Sequence, residues 1–157
     1  FYQCSSLKSV VVPEGVTHIQ IFTFSYCTEL ISATILGDVT EIADSSFAQC
    51  YALESVNIPD TVTRIGVSSF MQCRKLVNLD IGVNSQLTTI GKNAFYDCES
   101  LTSVIIGKDV ATIDTTAFYA CDNLKTVYDL STSLELVAGS TEHGHVAANA
   151  DNVYTSL

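Results

Sequence analysis

The sequence predicts an α/β repeat solenoid, a right-handed superhelix of short strands and short helical turns with about six 23-residue repeats. The first observation behind this prediction is a triplet, Phe-x-x-Cys-x-x-Leu, that occurs six times. The second is the spacing of the triplets: the interval between successive copies is constant, except for a slightly longer one before the fifth copy. A constant period of this length is the sequence signature of stacked repeats. The copies begin at Phe1, Phe24, Phe47, Phe70, Phe95 and Phe118.

Within one repeat, which we call a rung, positions are numbered from the phenylalanine, so that Cys is at +3 and Leu at +6. This spacing of three predicts that the triplet lies on one face of a helical or 3₁₀ turn. Aliphatic residues at +9 and +11 predict a short strand with one buried face. A Pro or Gly ends the strand, and stretches such as 62–65 predict a second extended segment. The longer interval before the fifth copy comes from extra residues in the fourth rung. They lie near Asn84 and Ser85, where we expect a loop.

The triplets are predicted to stack from rung to rung into a core ladder, because a single rung cannot bury its apolar face alone. All cysteines share one position, which favours buried free thiols that donate weak S–H bonds to turn carbonyls. Disulfides between rungs and a metal site are the alternatives, and the metal is disfavoured because even the closest cysteines are separated by a whole repeat. The predicted ladder consists of Phe24, Phe47, Phe70, Phe95, Phe118, Cys27, Cys50, Cys73, Cys98 and Cys121.

Composition limits the classes of partner. The chain carries 7 basic and 17 acidic residues, a formal net charge of -10. This charge would repel a phosphate backbone or an anionic membrane surface, so we expect no nucleic-acid partner. No apolar run approaches the length of a membrane span, so we expect no direct membrane insertion. The chain begins with Phe1 inside a repeat, which indicates an N-terminally truncated piece of a longer protein.

The candidate chemical groups favour no catalytic, metal or cofactor site. His143 and His145 are two positions apart and could share a metal, but a solvated turn is the simpler interpretation. His18 stands alone at a surface position, and Asp109 and Asp114 occupy turns, where carboxylates cap more often than they catalyse. The sequence has no Gly-rich phosphate loop and no Gly-x-Ser-x-Gly nucleophile motif. We therefore predict that the protein is not an enzyme.

The solvent-facing strand positions, +8 and +10, predict a flat stripe of short and mostly polar side chains. Apolar residues interrupt this stripe near its two ends, which makes it a possible binding face. The alternative is an ordinary soluble β face, on which scattered apolar side chains need no explanation. The candidate binding residues are Val11, Thr34, Asn57, Asn78, Asp80, Ile105 and Tyr128.

The repeat pattern stops after Val127, which divides the chain into repeats over 1–127 and a C-terminal cap over 128–157. Asp129 occupies the +11 position, where earlier rungs carry an aliphatic residue. Residues 133–137 predict a last strand, and the apolar spacing over 145–154 predicts a helix. A solenoid needs a terminal element to cover its exposed core, and this segment suits that purpose.

The rungs themselves resemble a known family. Residues 53–73 read LESVNIPDTVTRIGVSSFMQC, and the segments 90–98 and 113–121 are equally close to the same pattern. This pattern, LxxIxIPxxVTxIGxxAFxxCxxL, is typical of the BspA-like (Treponema pallidum type) leucine-rich repeats. The resemblance implies a leucine-rich-repeat fold and a secreted or cell-surface protein of bacteria or parasitic protists. It also implies adhesion to host matrix proteins or to other cells.

From these points we expect a non-catalytic, surface-exposed adhesion module, extracellular or on the cell surface, that binds a host or neighbouring-cell protein or glycan. The alternative is a structural spacer in a larger cell-surface protein. The two hypotheses differ in what the surface should carry. A binding module should have a contiguous patch of polar and aromatic side chains on one face, and a spacer should have none.

Overall fold

The computed structural model describes residues 1–157, with the side chain of Asp80 outside the described set. Twelve strands and one 3₁₀ turn, His143–His145, build a solenoid in which the strands form two series along the stacked rungs. The first series, which we call the longer strands because all but the two-residue β5 have three or four residues, consists of β1 (Ser9–Val12), β3 (Ser32–Ile35), β5 (Ser55–Val56), β7 (Asn78–Asp80), β9 (Ser103–Ile106), β11 (Thr126–Asp129) and β12 (Asn152–Tyr154). The second series, which we call the short strands, has two residues per strand and consists of β2 (His18–Ile19), β4 (Glu41–Ile42), β6 (Arg64–Ile65), β8 (Thr89–Ile90) and β10 (Thr112–Ile113).

All strand pairs are parallel and join equivalent positions of adjacent rungs, as in the pairing of Val11 with Thr34. The short strands form one continuous sheet, β2-β4-β6-β8-β10. The longer strands form two sheets, β1-β3-β5 and β7-β9-β11-β12, because β5 and β7 are not paired. The predicted second extended segment is thus confirmed, and the residues inserted near Asn84 lie in the loop between β7 and β8.

The predicted helical turns are wrong, since the structure has almost no helix and the Phe-Cys-Leu segments are chains of tight turns. In the third rung, the Cys50 N–H donates to the Phe47 carbonyl at the start of the same triplet, whereas the Phe47 N–H donates to the main-chain carbonyl of Ser69 in the next rung. Gln49 has a φ of 61°, in the left-handed region that a right-handed helix excludes. Successive turns of this kind place apolar side chains on one face at the same spacing as a helix.

The core is a set of ladders that run along the solenoid axis. The phenylalanine rings from Phe1 to Phe118 stack with centroids between 5.0 and 5.4 Å apart. From Phe24 onward each of these rings is buried, together with the Cys and Leu of the same rung. Because every rung covers the next, the hydrophobic effect acts along the whole stack rather than within one repeat.

The C-terminal segment is a seventh, slimmer rung rather than a helical cap. The predicted helix over 145–154 is wrong, because only His143–His145 is helical and Asn152–Tyr154 forms β12, which pairs with β11. The predicted strand over 133–137 is also wrong, because no strand forms there. Counting back from the register of β12 puts Gly144, Ala147 and Ala150 at the positions of Phe, Cys and Leu.

Asp129 holds the loop that leads into this seventh rung. Its carboxylate is buried and accepts hydrogen bonds from the Ser131 N–H at 3.1 Å, the Ser131 hydroxyl at 2.5 Å and the Leu136 N–H at 3.4 Å. A buried carboxylate is tolerated because these donors replace water. The break in the aliphatic pattern at +11 thus marks the start of the loop.

Over the described residues, the structure offers no helix with the length and apolar character that a membrane crossing requires.

Candidate binding surface

The candidate residues lie on the surface formed by the +8 and +10 side chains of the longer strands, which we call the long-strand face. Val11, Thr34 and Asn57 lie on the β1-β3-β5 part, and all three are exposed. Asn78, on β7, is exposed, whereas Ile105 and Tyr128 are half-buried. The Asp80 side chain lies outside the described residues. The gap between β5 and β7 therefore divides the predicted face into two parts.

Asn57 has a structural role in the first part. Its side-chain oxygen accepts a hydrogen bond from the Ile35 N–H at 2.7 Å, and its amide donates to the Ile35 carbonyl at 2.9 Å. The amide thus takes the place of a neighbouring strand at the point where β5 ends. An open cleft of about 550 Å³ lies beside it, lined by Thr34, Asp60 and Gly82 among others.

The second part carries a column of apolar and aromatic side chains at position +10. Tyr128 pairs in register with Ile105 on one side and with Tyr154 on the other. The two tyrosine rings stack with centroids 5.3 Å apart and planes at 25°. Tyr154 is 45% exposed and Tyr128 is half-buried, so both side chains are partly accessible to solvent. We call this set, Ile105, Tyr128 and Tyr154, the tyrosine column.

A column of amide and hydroxyl side chains runs beside it at position +8. Its members are in register across four strands, and the Ser103 hydroxyl donates to the Asn78 side-chain oxygen at 2.9 Å. The two columns together form a contiguous polar and aromatic patch on a parallel sheet. The polar column consists of Asn78, Ser103, Thr126 and Asn152.

Sequence reasoning missed Asn152 and Tyr154, which β12 adds to this patch. A signal was present, because Ala147, Ala150 and Val153 keep the spacing of three that Cys, Leu and the first strand aliphatic keep in other rungs. Tyr154 then follows Val153 as Tyr128 follows Val127. The same spacing also fits a helix, and the small side chains at the Cys and Leu positions hid the repeat.

The thiol ladder lies in the core, away from this patch. Each of the five buried thiols donates to the carbonyl oxygen of the phenylalanine one rung earlier, at 3.1 to 3.4 Å. Desolvation raises the pKa of Cys50 to about 12 and also raises the pKa values of Cys27, Cys73 and Cys98. All six cysteines are free, and only Cys4 is exposed. Protonated, buried thiols are poor nucleophiles and poor metal ligands.

The other titratable groups are dispersed. The exposed His18 ring pairs through Nδ1 with the Thr17 hydroxyl at 2.9 Å, and His145 packs edge-on against Tyr119. Asp109 pairs with Lys108, and Asp114 accepts a bond from the Thr115 N–H. Within the part of the chain that the structure describes, no three His, Cys, Asp or Glu side chains converge as a metal site.

Known proteins with similar sequences and structures have the same repeat architecture. The sequence model of the BspA type leucine rich repeat region matches residues 1–127 in six copies. A Treponema pallidum leucine rich repeat protein, TpLRR, is 32% identical with a TM-score of 0.76, and the match covers 81% of this chain and 58% of that protein. A Bacteroides ovatus leucine-rich repeat protein is 31% identical with a TM-score of 0.74, over 82% of this chain and 33% of that one.

The pneumococcal vaccine antigen PcpA, at 18% identity, shares the fold alone, with a TM-score of 0.70 over 95% of this chain and 40% of PcpA. No curated protein sequence matches the chain. The chain spans only 58% of TpLRR and a third of the Bacteroides ovatus protein, so the likeness concerns the repeat region. By the six matching repeats and the shared solenoid, the chain belongs to the BspA-type leucine-rich repeat family.

Proposed function

We propose that the protein is a non-catalytic binding module that holds a protein ligand on the second part of its long-strand face. The family supports the general class, because leucine-rich repeat proteins typically serve as protein-interaction modules and are generally not enzymes. BspA-like proteins are typically secreted or surface-exposed, so we place this binding outside the cell, as adhesion to a host or neighbouring cell.

The observation that carries the proposal is the tyrosine column beside the polar column. Tyrosine is enriched at protein interfaces because it offers a large apolar body, a polar tip and few rotatable bonds. Serine and asparagine beside it supply adaptable hydrogen bonds. The combination of Tyr128 and Tyr154 with the polar column fits a protein ligand better than it fits a charged polymer.

Rigidity also supports a binding role. The columns stand on paired strands, and Tyr128 lies between two neighbours in the same sheet. A surface that is already ordered loses little conformational entropy on binding, so more of the contact energy appears as affinity. The same rigidity would suit a structural spacer, since the phenylalanine stack runs without interruption from Phe1 to Phe118.

A matched pair of double variants separates the two functions. Tyr128→Ser with Tyr154→Ser removes the aromatic rings of the tyrosine column, whereas Tyr96→Ser with Tyr119→Ser removes a second stacked tyrosine pair, with centroids 5.7 Å apart, elsewhere on the surface. Binding to immobilised fibronectin, laminin and collagen is measured by surface plasmon resonance, and thermal melting checks that each variant folds.

We expect the wild type to bind at least one of these matrix proteins. The first double variant should weaken that binding by about 10- to 30-fold, as the loss of a tyrosine hot spot does. The control variant should bind as the wild type does. A wild type that binds none of the three, or equal losses in both variants, would reject the proposal and favour the spacer.

A further inference from the structure

Two positions in the Phe-Cys-Leu turns force the backbone into a sterically restricted conformation. Position -2 has φ between 54° and 59°, and position +2 has φ between 59° and 63°. Residues with a side chain rarely adopt these left-handed values, and bulky ones are outliers there. Most rungs therefore carry small or polar residues at these positions. They are Ser45, Ser68, Asn93 and Thr116 at -2, and Gln3, Gln49, Gln72, Asp97 and Ala120 at +2.

The second rung departs from this rule at both positions, which hold Phe22 and Tyr26. Their φ values are 59° and 60°, so both aromatic residues sit on the strained backbone. The fold imposes this backbone in the other rungs too, so the unusual feature of the second rung is an aromatic side chain at both positions, which adds to the strain. The core does not require it, because Phe24 between them already completes the phenylalanine stack.

Together with Tyr2, these residues form an exposed cluster that we call the aromatic trio. The Tyr2 ring lies edge-on to Tyr26, with centroids 5.8 Å apart and planes at 81°, and to Phe22 at 6.3 Å and 68°. Tyr2 is 53% exposed, Phe22 51% and Tyr26 39%. Large aromatic side chains gathered on the surface usually mark a binding site.

The size of the cluster restricts its ligand. A groove of about 140 Å³ lies between Tyr2 and Phe22. A cavity of about 150 Å³ holds one benzene molecule, so the groove suits a single six-membered ring. Three half-exposed aromatic side chains offer roughly 300 Å² of surface. This area is well below the about 800 Å² that each partner contributes to a stable protein–protein interface, so the trio by itself matches a small ligand.

The charges around the trio restrict the ligand further. Residues 1–7 and 20–28, which contain it, have no charged side chain. Asp44 lies in the next rung, where its carbonyl accepts from the Phe22 N–H, but its carboxylate is bound by Arg64 and the Val67 N–H. The polar groups at the trio are uncharged: the tyrosine hydroxyls and the Gln3 amide, which donates to the Tyr2 hydroxyl. This environment favours a neutral ligand.

We propose that the aromatic trio binds one pyranose ring of a neutral glycan. The apolar C–H face of the sugar would lie on an aromatic ring, and its hydroxyl groups would bond to the Tyr2 hydroxyl and the Gln3 amide. This site goes beyond the proposed protein-binding face and does not depend on it, because it lies on the turns of the first two rungs rather than on the long-strand face.

Affinity gel electrophoresis tests the proposal directly. The protein, with its net charge of -10, is run in native gels that contain barley β-glucan, xyloglucan, galactomannan or glycogen. We expect at least one of these neutral polysaccharides to retard the wild type. The test variant is Phe22→Ser with Tyr26→Gln, which installs the side chains that the third and fourth rungs carry at these positions. Retardation should disappear, with an affinity at least tenfold weaker.

Three further measurements make the result decisive. The melting temperature of the test variant should stay level or rise, because the substitutions remove bulky side chains from a strained backbone. A clear fall would show that the trio stabilises the fold and would overturn the proposal. The Tyr96→Ser, Tyr119→Ser control should be retarded like the wild type. Absence of retardation in all four gels, or retardation that the test variant retains, also overturns it. Sedimentation velocity gives the third measurement. If the wild type sediments as a dimer and the test variant as a monomer, the proposal is also overturned, since a second copy would then be the occupant.

Discussion

The thiol of Cys73 donates a hydrogen bond to the main-chain carbonyl oxygen of Phe47, 3.3 Å away in the preceding rung. The same bond recurs at every buried cysteine, so each of these thiols links its rung to the preceding rung. Because the donor must stay protonated, the ladder ties the stability of the fold to the ionisation of its thiols.

Alkaline pH should therefore destabilise the protein. Burial raises the pKa of Cys50 from an ordinary value of 9.0 to about 12. The unfolded chain releases this proton above about pH 9, whereas the folded chain retains it, so the stabilisation is complete below pH 9 and disappears as pH approaches 12. The free energy of unfolding should fall by about 1.4 kcal/mol per pH unit for this thiol.

Urea denaturation between about pH 8 and pH 10.5 measures this slope. Cys50→Ala is the control, because removal of the thiol should make the slope above pH 9 shallower by the contribution of one group. Equal slopes in both proteins would show that the folded state does not hold the Cys50 proton.

The cysteines should also differ sharply in reactivity. Iodoacetamide in the absence of a reductant should label only Cys4 in the folded protein, because the other thiols are buried and hydrogen-bonded. All six should react in guanidinium chloride. Intact-mass spectrometry counts the labels, and fewer than six in the denatured protein would reveal disulfides that the thiol ladder rules out.

Truncation in the middle of the phenylalanine stack should be costly. Phe70 is fully buried and packs between Phe47 and Phe95 at 5.1 and 5.3 Å. Phe70→Ala should lower the free energy of unfolding by about 3–5 kcal/mol and the melting temperature by roughly 6–20 °C. The exposed Val67→Ala in the same rung should change stability by less than about 0.5 kcal/mol. Equal melting temperatures for the two variants would contradict the ladder.

Two glycines with left-handed backbone test the packing of the seventh rung. Gly139→Ala, with φ of 79° and no atom near the new methyl group, should cost about 1–2 kcal/mol. Gly144→Ala, with φ of 67°, would also overlap the Asp114 carbonyl and approach Ile113 Cγ2 to 2.7 Å, so it should cost about 1–3 kcal/mol more.

Urea denaturation and hydrogen exchange at the β12 amides measure the two effects. The amides of β12 should exchange faster in Gly144→Ala than in Gly139→Ala, because only the Gly144→Ala substitution displaces the rung that carries β12. Equal stabilities and exchange rates would show that Gly144 is not in close contact with the sixth rung.

The repeat and its family could be recognised from the chain alone, because every buried position recurs in six copies. The helical assignments failed at the Phe-Cys-Leu turns and over 145–154, since successive tight turns and a helix place side chains at nearly the same spacing. The error at the C-terminus also concealed Tyr154, and with it half of the stacked pair that Tyr128 forms.

The candidate face was predictable only in part. Ile105, Tyr128 and Asn78 were assigned to it from their positions, and their role in binding stays a prediction. The gap between β5 and β7 was not foreseeable, because strand pairing depends on the distance between rungs and not on the residues of one rung. Asn57 showed the same limit, since a polar strand residue can face solvent or, as here, bond to the backbone of the neighbouring rung.

By itself, the sequence determined what repeats: the period, the buried ladders of Phe, Cys and Leu, and the parallel stacking that hides them from water. These follow from local spacing and the hydrophobic effect, which need no knowledge of distant contacts. Only the tertiary structure decided what is unique. It made a seventh rung from Gly144, Ala147 and Ala150, stacked Tyr154 on Tyr128, and gathered Tyr2, Phe22 and Tyr26 at one corner. Those contacts join residues of different rungs, and their geometry is set by how the rungs stack.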